Sequence, residues 1–270
     1  MWWLGMVGVS IVNLAFWSWT FVFTLPKLPR SPAKRSLLDP RNMIWLSGIY
    51  VSVCAFRSLL PRADVQRICL FDTWFSSVFI GRTLATFAEL AFVAQWSIVF
   101  SFLSREMSLG FVGGISRGIL WIIALAELCS WYAVITTHYL GNVIEESLWA
   151  FTYFLIFIAL VQVFFRLRGA LRLAVFFAIL GVGLYVSFMI WVDVPMYIQR
   201  LYEDQQSGKL YFGFVEGIID LNTRWVVTHD IRDWREEIPW QSLYFSLAVL
   251  VSIALCYVPL FPSRIAKHLR

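Results

Sequence analysis

Apolar positions in this chain run on in long blocks instead of alternating, and short polar stretches separate the blocks. Seven windows stand out: Trp2 to Leu25, Met43 to Leu60, Trp74 to Leu103, Ile119 to Tyr139, Leu148 to Phe165, Leu173 to Val192 and Leu243 to Phe261. A helix of about 20 apolar residues crosses a hydrocarbon layer roughly 30 Å thick, and most of these windows meet that length with one ionisable group or none. The period-two pattern of a transmembrane barrel is absent. The blocks therefore predict an all-α polytopic bundle of about seven spans forming a single transmembrane domain. The third window is long enough to tilt. No basic region precedes the first and no small-residue cleavage site follows it, so it reads as a helix that stays.

Composition sharpens this picture. The chain is 60% hydrophobic and only 14% charged, whereas a soluble domain carries about a quarter charged residues. Lys27, Arg30, Lys34, Arg35 and Arg41 follow the first span, and Arg264, Lys267 and Arg270 follow the last. Short basic loops and tails mark the cytoplasmic side, which predicts an N-out, C-in topology. The net charge of +5 then reads as attraction to an anionic membrane surface, with membrane lipids as partners and no nucleic acid. Cys54, Cys69, Cys129 and Cys256 have no CxxC spacing, so neither a disulfide framework nor a zinc knuckle is expected.

The loops add two expectations. The Gly-rich piece Gly110 to Gly118 reads as a loop between spans three and four. The connection 193–242 is too long for a passive turn. Within it, from Leu210 to Val227, Phe214, Ile218, Leu221 and Trp225 recur at helical spacing, while Glu216, Asp220 and Arg224 repeat on another face. That pattern predicts an amphipathic helix in the outer interface, with the three charged residues forming a solvated ladder.

Candidate chemistry lies in the ionisable residues within spans, which are costly there and usually face a bundle interior or a wet cavity. Arg82 and Glu89 are seven residues apart on nearly one helix face, with Thr86 between them. The rise between the pair, about 10 Å, suggests that each has another partner, with Glu127 in span four a candidate. His138, Asn142, Glu145, Glu146, Asp193 and the stretch from His229 to Glu237 all fall at the outer ends of spans. If those ends meet, they line an outward-facing pocket floored by Arg82, Glu89 and Glu127.

Four functional readings follow. Acid–base catalysis on a lipid or isoprenoid-like substrate would use Glu89, Glu127, His138, Glu145, Glu146, Asp193, His229 and Asp233, since carboxyls in unlike surroundings can divide the roles of acid and base. Arg57, Arg62, Arg67, Arg82 and Asn142 would bind the substrate, unless the arginines instead pair with Asp64, Asp72 or other loop acids. A divalent metal is not required, but a helix through His229, Asp233 and Glu236 or Glu237, joined by His138, would offer nitrogen and carboxylate ligands. Proton-coupled transport could run along Arg82, Glu89 and Glu127. A non-catalytic seven-span receptor or assembly subunit could use the same charges to set helix register. The last span contains no lysine for a retinal Schiff base. The enzyme reading expects His138, Glu145 or Glu146, Asp193 and His229 within about 8 Å around one cavity.

Overall fold

A computed structural model describes residues 2–27 and 41–260. The basic residues Arg30, Lys34, Arg35, Arg264, Lys267 and Arg270 lie outside the described residues, as does Phe261 at the edge of the seventh window.

The described chain is a helical bundle. Its elements are α1 (Trp2–Thr24), α2 (Asn42–Leu59), α3 (Val78–Met107), α4 (Gly110–Thr136), α5 (Tyr139–Arg166), α6 (Gly169–Phe188), α7 (Val194–Ser207), α8 (Phe214–Thr223), α9 (Glu237–Leu243) and α10 (Val249–Leu255). One π-helical turn, Met189–Asp193, joins α6 to α7, and another, Tyr244–Ala248, joins α9 to α10. Among the described residues, six helical stretches are long and apolar enough to cross a membrane: α1, α3, α4, α5, the continuous rod Gly169–Ser207 and the final stretch Glu237–Leu260. Their length and composition point to a multi-pass membrane protein.

Burial has the polarity expected of a chain dissolved in lipid. On α1 the buried residues are Met6, Ser10, Asn13, Thr20 and Thr24, while Leu4, Ile11, Val12, Phe16 and Trp19 are exposed. Asn13 shows why: its Nδ2 donates to the Phe245 carbonyl oxygen inside the second π turn. Such turns loosen the helical ladder, and in hydrocarbon the released carbonyls need a partner within the protein. Consecutive helices α1 to α6 pack side by side, and α10 nests against α1, α2 and α3.

Several windows underestimate their helices, because hydropathy detects the apolar stretch and misses polar turns that continue it. The expected Gly110–Gly118 loop is helical and opens α4. Its Gly113 lets α4 approach α3, where an added Cβ would lie 2.6 Å from Ser104 Oγ. Helix α5 likewise begins at Tyr139, ahead of the apolar window that opens at Leu148. The expected long loop is helical through Ser207, since the rod of 39 residues measures roughly 60 Å at 1.5 Å per residue, about twice the hydrocarbon thickness.

One end of the bundle carries a small cap. Strands β1 (Arg62–Ala63) and β2 (Ile68–Cys69) pair antiparallel, and β3 (Val226–Val227) joins β2 in parallel. In the turn between β1 and β2, Arg67 takes φ 54°, a left-handed conformation that costs an L-residue about 1–2 kcal/mol. Two contacts hold it there: its Nη2 lies 2.6 Å from Asp220 Oδ2 and donates to the Val134 carbonyl oxygen at 3.2 Å. This pair also corrects the expected face of α8. Asp220 keeps the expected pairing with exposed Arg224 through Oδ1 at 3.3 Å, but turns its Oδ2 inward to a buried guanidinium, and Leu221 packs beside it against Val134 and Ile135.

Candidate functional site

Beneath the cap, Arg82 gathers three carboxylates from three helices. Its Nη2 lies 2.8 Å from Glu89 Oε2 and 2.7 Å from Glu127 Oε2, and its Nη1 lies 3.5 Å from Glu145 Oε1. The direct pair with Glu89 overturns the expectation that the two are too far apart. Side chains on a helix lean toward its N-terminus, so Glu89 reaches back and the arginine arm spans the remainder. Glu127 also accepts from Thr86 Oγ1 at 2.6 Å, and Thr86 accepts from Trp131 Nε1 at 3.1 Å. Two donors on one oxygen fix this carboxylate, which is only 3% exposed, while its Oε1 has no partner. Asn142 Nδ2 donates to Glu145 Oε2 at 3.5 Å.

The charges do not balance. One guanidinium faces three carboxylates, and the Glu146–Asp193 pair lies within electrostatic range of Glu145 and Arg200. Buried like charges are costly, so this arrangement calls for protons or a bound cation. Glu89 has the most exposed side chain of the three carboxylates, 12% against 3% for Glu127 and 6% for Glu145.

The cap supplies a second, smaller ion group. Arg62 Nε donates to Asp64 Oδ1 at 2.7 Å, Arg57 Nη2 stands 3.8 Å from the same oxygen, and Gln241 Nε2 donates to the Arg62 carbonyl oxygen. Gly81 makes room for this, because a Cβ there would collide with the Arg62 guanidinium. Burial pushes the Asp64 carboxyl up, but Arg62, Arg57 and Arg82 outweigh it and hold the group below the usual carboxylate range. Burial likewise pulls the Arg62 and Arg67 guanidiniums down, with Asp64 and Asp220 opposing. The expectation that Arg62 and Arg67 stand ready for a lipid headgroup is therefore corrected in favour of the ion-paired alternative, since they are engaged by Asp64 and Asp220, while Arg57 stands farther from Asp64 with its Nε unpartnered. Beside the cap, a recess of about 220 Å³ is lined by Asp64, Arg67, Tyr139, Asn142, Lys209 and Arg224, among others.

The histidines are elsewhere. His138 caps α5, its Nδ1 accepting from Leu140 N at 3.1 Å, and its ring lies tilted against Tyr211 with centroids 4.0 Å apart. His229 is exposed, and residues 231–236 form turns and no helix. Asp230 breaks the helical pattern by accepting from the backbone N–H of Arg232. Asp233 accepts from Thr228, and Glu236 from Arg200 and Gln66. Of the set expected to join around one cavity, Asp193 does meet Glu146 beside Glu145, whereas His138 is engaged by Leu140 and Tyr211 and His229 is exposed. The proposed metal ligands His138, His229, Asp233 and Glu236 are not assembled, and no metal-holding group of three His, Cys, Asp or Glu occurs among the described residues.

Sequence reasoning missed two features. Tyr50, Tyr153, Tyr185 and Tyr244 all lie within electrostatic range of Glu89; isolated tyrosines in an apolar block carry no positional signal. Deeper in the bundle, Gln95 Nε2 donates to the carbonyl oxygens of Met43 and Ser252, and its Oε1 accepts from Ser252 Oγ, which also bonds Ser47. A lone glutamine within a long apolar window was a readable signal for this network.

No known protein family, curated protein or solved structure matches the chain.

Proposed function

We propose that the chain is a seven-span membrane enzyme, N-out and C-in, that carries out acid–base chemistry on a lipid-soluble substrate at the Arg82 cluster. Support for the seventh span comes from α2, which runs the length of the bundle: Trp17 Nε1 donates to the Ile44 carbonyl oxygen near one end and Trp3 Nε1 to that of Leu59 at the other. The observation that carries the chemistry is the convergence of three carboxylates on one guanidinium, with Glu89 the least buried of the three. Glu127, pinned by Arg82 and Thr86, serves as the fixed negative group. Glu89 is the carboxyl that exchanges a proton with substrate, and Arg82 holds the geometry.

The test compares lipid extracts from cells expressing the wild type, Glu89→Gln or no protein, by mass spectrometry. At least one lipid species should change with the wild type and return to baseline with a folded Glu89→Gln variant. Identical lipid profiles for wild type and variant overturn the reading.

A second reading, proton-coupled transport, is favoured by the Gln95 network, which extends the polar interior of α3 beyond Glu89. Proteoliposomes containing a pH-sensitive dye separate the two: proton flux lost in Gln95→Leu supports transport, and no flux above protein-free vesicles excludes it.

A further inference from the structure

The smaller recess at the cap is walled by lopsided ion pairs. Arg67, Lys209 and Arg224 line it against one carboxylate, Asp64. Asp64 is itself shared by two guanidiniums, with Arg62 Nε at 2.7 Å and Arg57 Nη2 at 3.8 Å. Asp220 is shared in the same way, its Oδ2 facing Arg67 at 2.6 Å and its Oδ1 facing Arg224 at 3.3 Å. Lys209 alone of these cations has a carboxylate to itself, Asp204 at 2.6 Å. In these pairs five cations face three acids, a surplus of two. Burial works against the charge of Arg67 and Arg62, Asp220 and Asp64 support it, and Arg224 and Arg57 work against it again. Glu237 is within electrostatic range of Arg57 but lines neither cavity.

The backbone around the recess is set against its own preference. Arg67 and Thr137, at φ 54° and 60°, both line it, and left-handed residues other than glycine gather where a structure clamps a ligand. Thr137 turns its carbonyl oxygen to Lys209 Nζ at 3.2 Å, which holds the ammonium at the wall. The Arg224 guanidinium lies 5.7 Å from the centroid of the Phe212 ring, which lines the recess too. Both cations keep donors free: Lys209 spends two on Thr137 and Asp204, and Arg224, 62% exposed, meets Asp220 through one nitrogen. The first turn of α5, a helix of 28 residues, reaches the recess at Tyr139 and Asn142 and adds the positive end of its dipole.

We propose that this recess binds a phosphate group, held by Lys209 and Arg224. Two surplus positive charges match the charge of about −1.5 to −2 that a phosphate monoester carries at pH 7. An ammonium group would be repelled, and an uncharged headgroup would leave the surplus standing. The larger cavity beside it, about 610 Å³, does not suit an anion, because its three arginines face four acids, Glu203, Asp204, Asp233 and Glu236. Leu210 lines the recess at 90% exposure, and Phe214 and Val215 are exposed as well. Apolar residues beside a basic pocket suit a lipid headgroup at the membrane surface, and a free phosphate in solution meets the same ligands. The recess lies apart from the Arg82 cluster and touches it through Asn142, whose Nδ2 donates to Glu145 Oε2 at 3.5 Å. Its binding does not depend on the acid–base reading.

The experiment titrates the purified full-length chain in nonionic detergent by calorimetry, near neutral pH and at constant ionic strength. The probes are inorganic phosphate, acetate, dihexanoyl phosphatidic acid and dihexanoylglycerol. At least one of the two phosphate probes should bind saturably, and acetate and the phosphate-free dihexanoylglycerol should not. Arg224→Gln and Lys209→Gln should each weaken that binding about tenfold, the scale of a lost charge-assisted hydrogen bond. Arg168→Gln, at the other end of the bundle, should leave it unchanged. The largely exposed Arg224 keeps the test valid if Lys209→Gln disturbs the fold. Phosphatidic acid bound about tenfold or more tightly than inorganic phosphate assigns a lipid headgroup; comparable affinities assign a free phosphate. No saturable site for either phosphate probe overturns the proposal on the wild type alone, as does acetate or dihexanoylglycerol binding as well as its phosphate counterpart. Arg224→Gln binding like the wild type overturns it too, and so does an equal loss in Arg168→Gln, because net charge would then account for the affinity. Phosphate binding without any lipid change in cells leaves the recess standing and removes the enzymatic reading.

Discussion

Arg82 and Glu127, on α3 and α4, lie 2.7 Å apart in the bundle interior, both under 10% exposed. Breaking a buried pair from one side leaves an uncompensated charge, at a cost of about 3–5 kcal/mol. Here the loss of Arg82 strands three carboxylates at once. Arg82→Met should therefore destabilise the protein by at least that range in detergent unfolding, and Arg82→Met with Glu127→Leu should recover part of the loss. If Arg82→Met unfolds like the wild type, the ion cluster is not what ties α3, α4 and α5 together.

The same pair shows what the sequence could and could not convey. Apolar blocks located the helices, and the rarity of charge within them singled out Arg82, Glu89 and Glu127, because a membrane interior makes every ionisable residue informative. Partner choice was less legible. Arginine has enough reach to meet Glu89 across two helical turns, so a rise of about 10 Å did not exclude the contact. His138 looked chemical but caps α5. In an outer segment, polarity is cheap, and position alone does not separate a ligand from a helix cap. The inward turn of Asp220 depends on Arg67, far away in sequence, and nothing local to α8 reveals it.

Gly217 sets the fit of α8 against the bundle. A Cβ at this position would run into the Ile135 carbonyl at the end of α4, a backbone atom that cannot swing aside. Gly217→Ala should cost about 1–3 kcal/mol, in the range of overpacking a close contact. The damage should be local: hydrogen exchange should speed up in α8 and in the paired Val226–Val227 segment while α3 stays protected. Unchanged exchange in α8 would show that the helix does not seat as described.

Asp64 gives the cap its acid sensitivity. Its folded-state value is depressed by Arg62, Arg57 and Arg82 against the upward push of burial. A depressed carboxyl contributes its full stability above the unfolded value of about 3.9 and loses it as pH falls through the lower folded value. The melting temperatures of wild type and Asp64→Asn should therefore differ by a constant amount from pH 7 to pH 5, and the gap should close in stronger acid. A gap that widens on acidification would contradict the direction assigned to Asp64.

Topology can be read by labelling single cysteines in a background lacking Cys54, Cys69, Cys129 and Cys256. The bundle's own geometry places the sites: Trp2 Nε1 bonds Ser242, and Trp3 Nε1 bonds the Leu59 carbonyl oxygen, so the N-terminal end of α1 lies at the same end as the cap. Exposed His229 belongs to this end, and Lys27 and Arg168, both exposed, to the other. The proposed N-out, C-in topology, which rests on the concentration of Lys and Arg after the first span, puts that other end in the cytoplasm. A membrane-impermeant maleimide applied to intact cells should label His229→Cys and spare Lys27→Cys and Arg168→Cys, and permeabilisation should expose all three. Labelling of Lys27→Cys and Arg168→Cys with His229→Cys spared would invert the orientation. Labelling of Lys27→Cys together with His229→Cys would mean that the first span does not cross, because Lys27 and the cap then share a compartment, and the count of seven would fall.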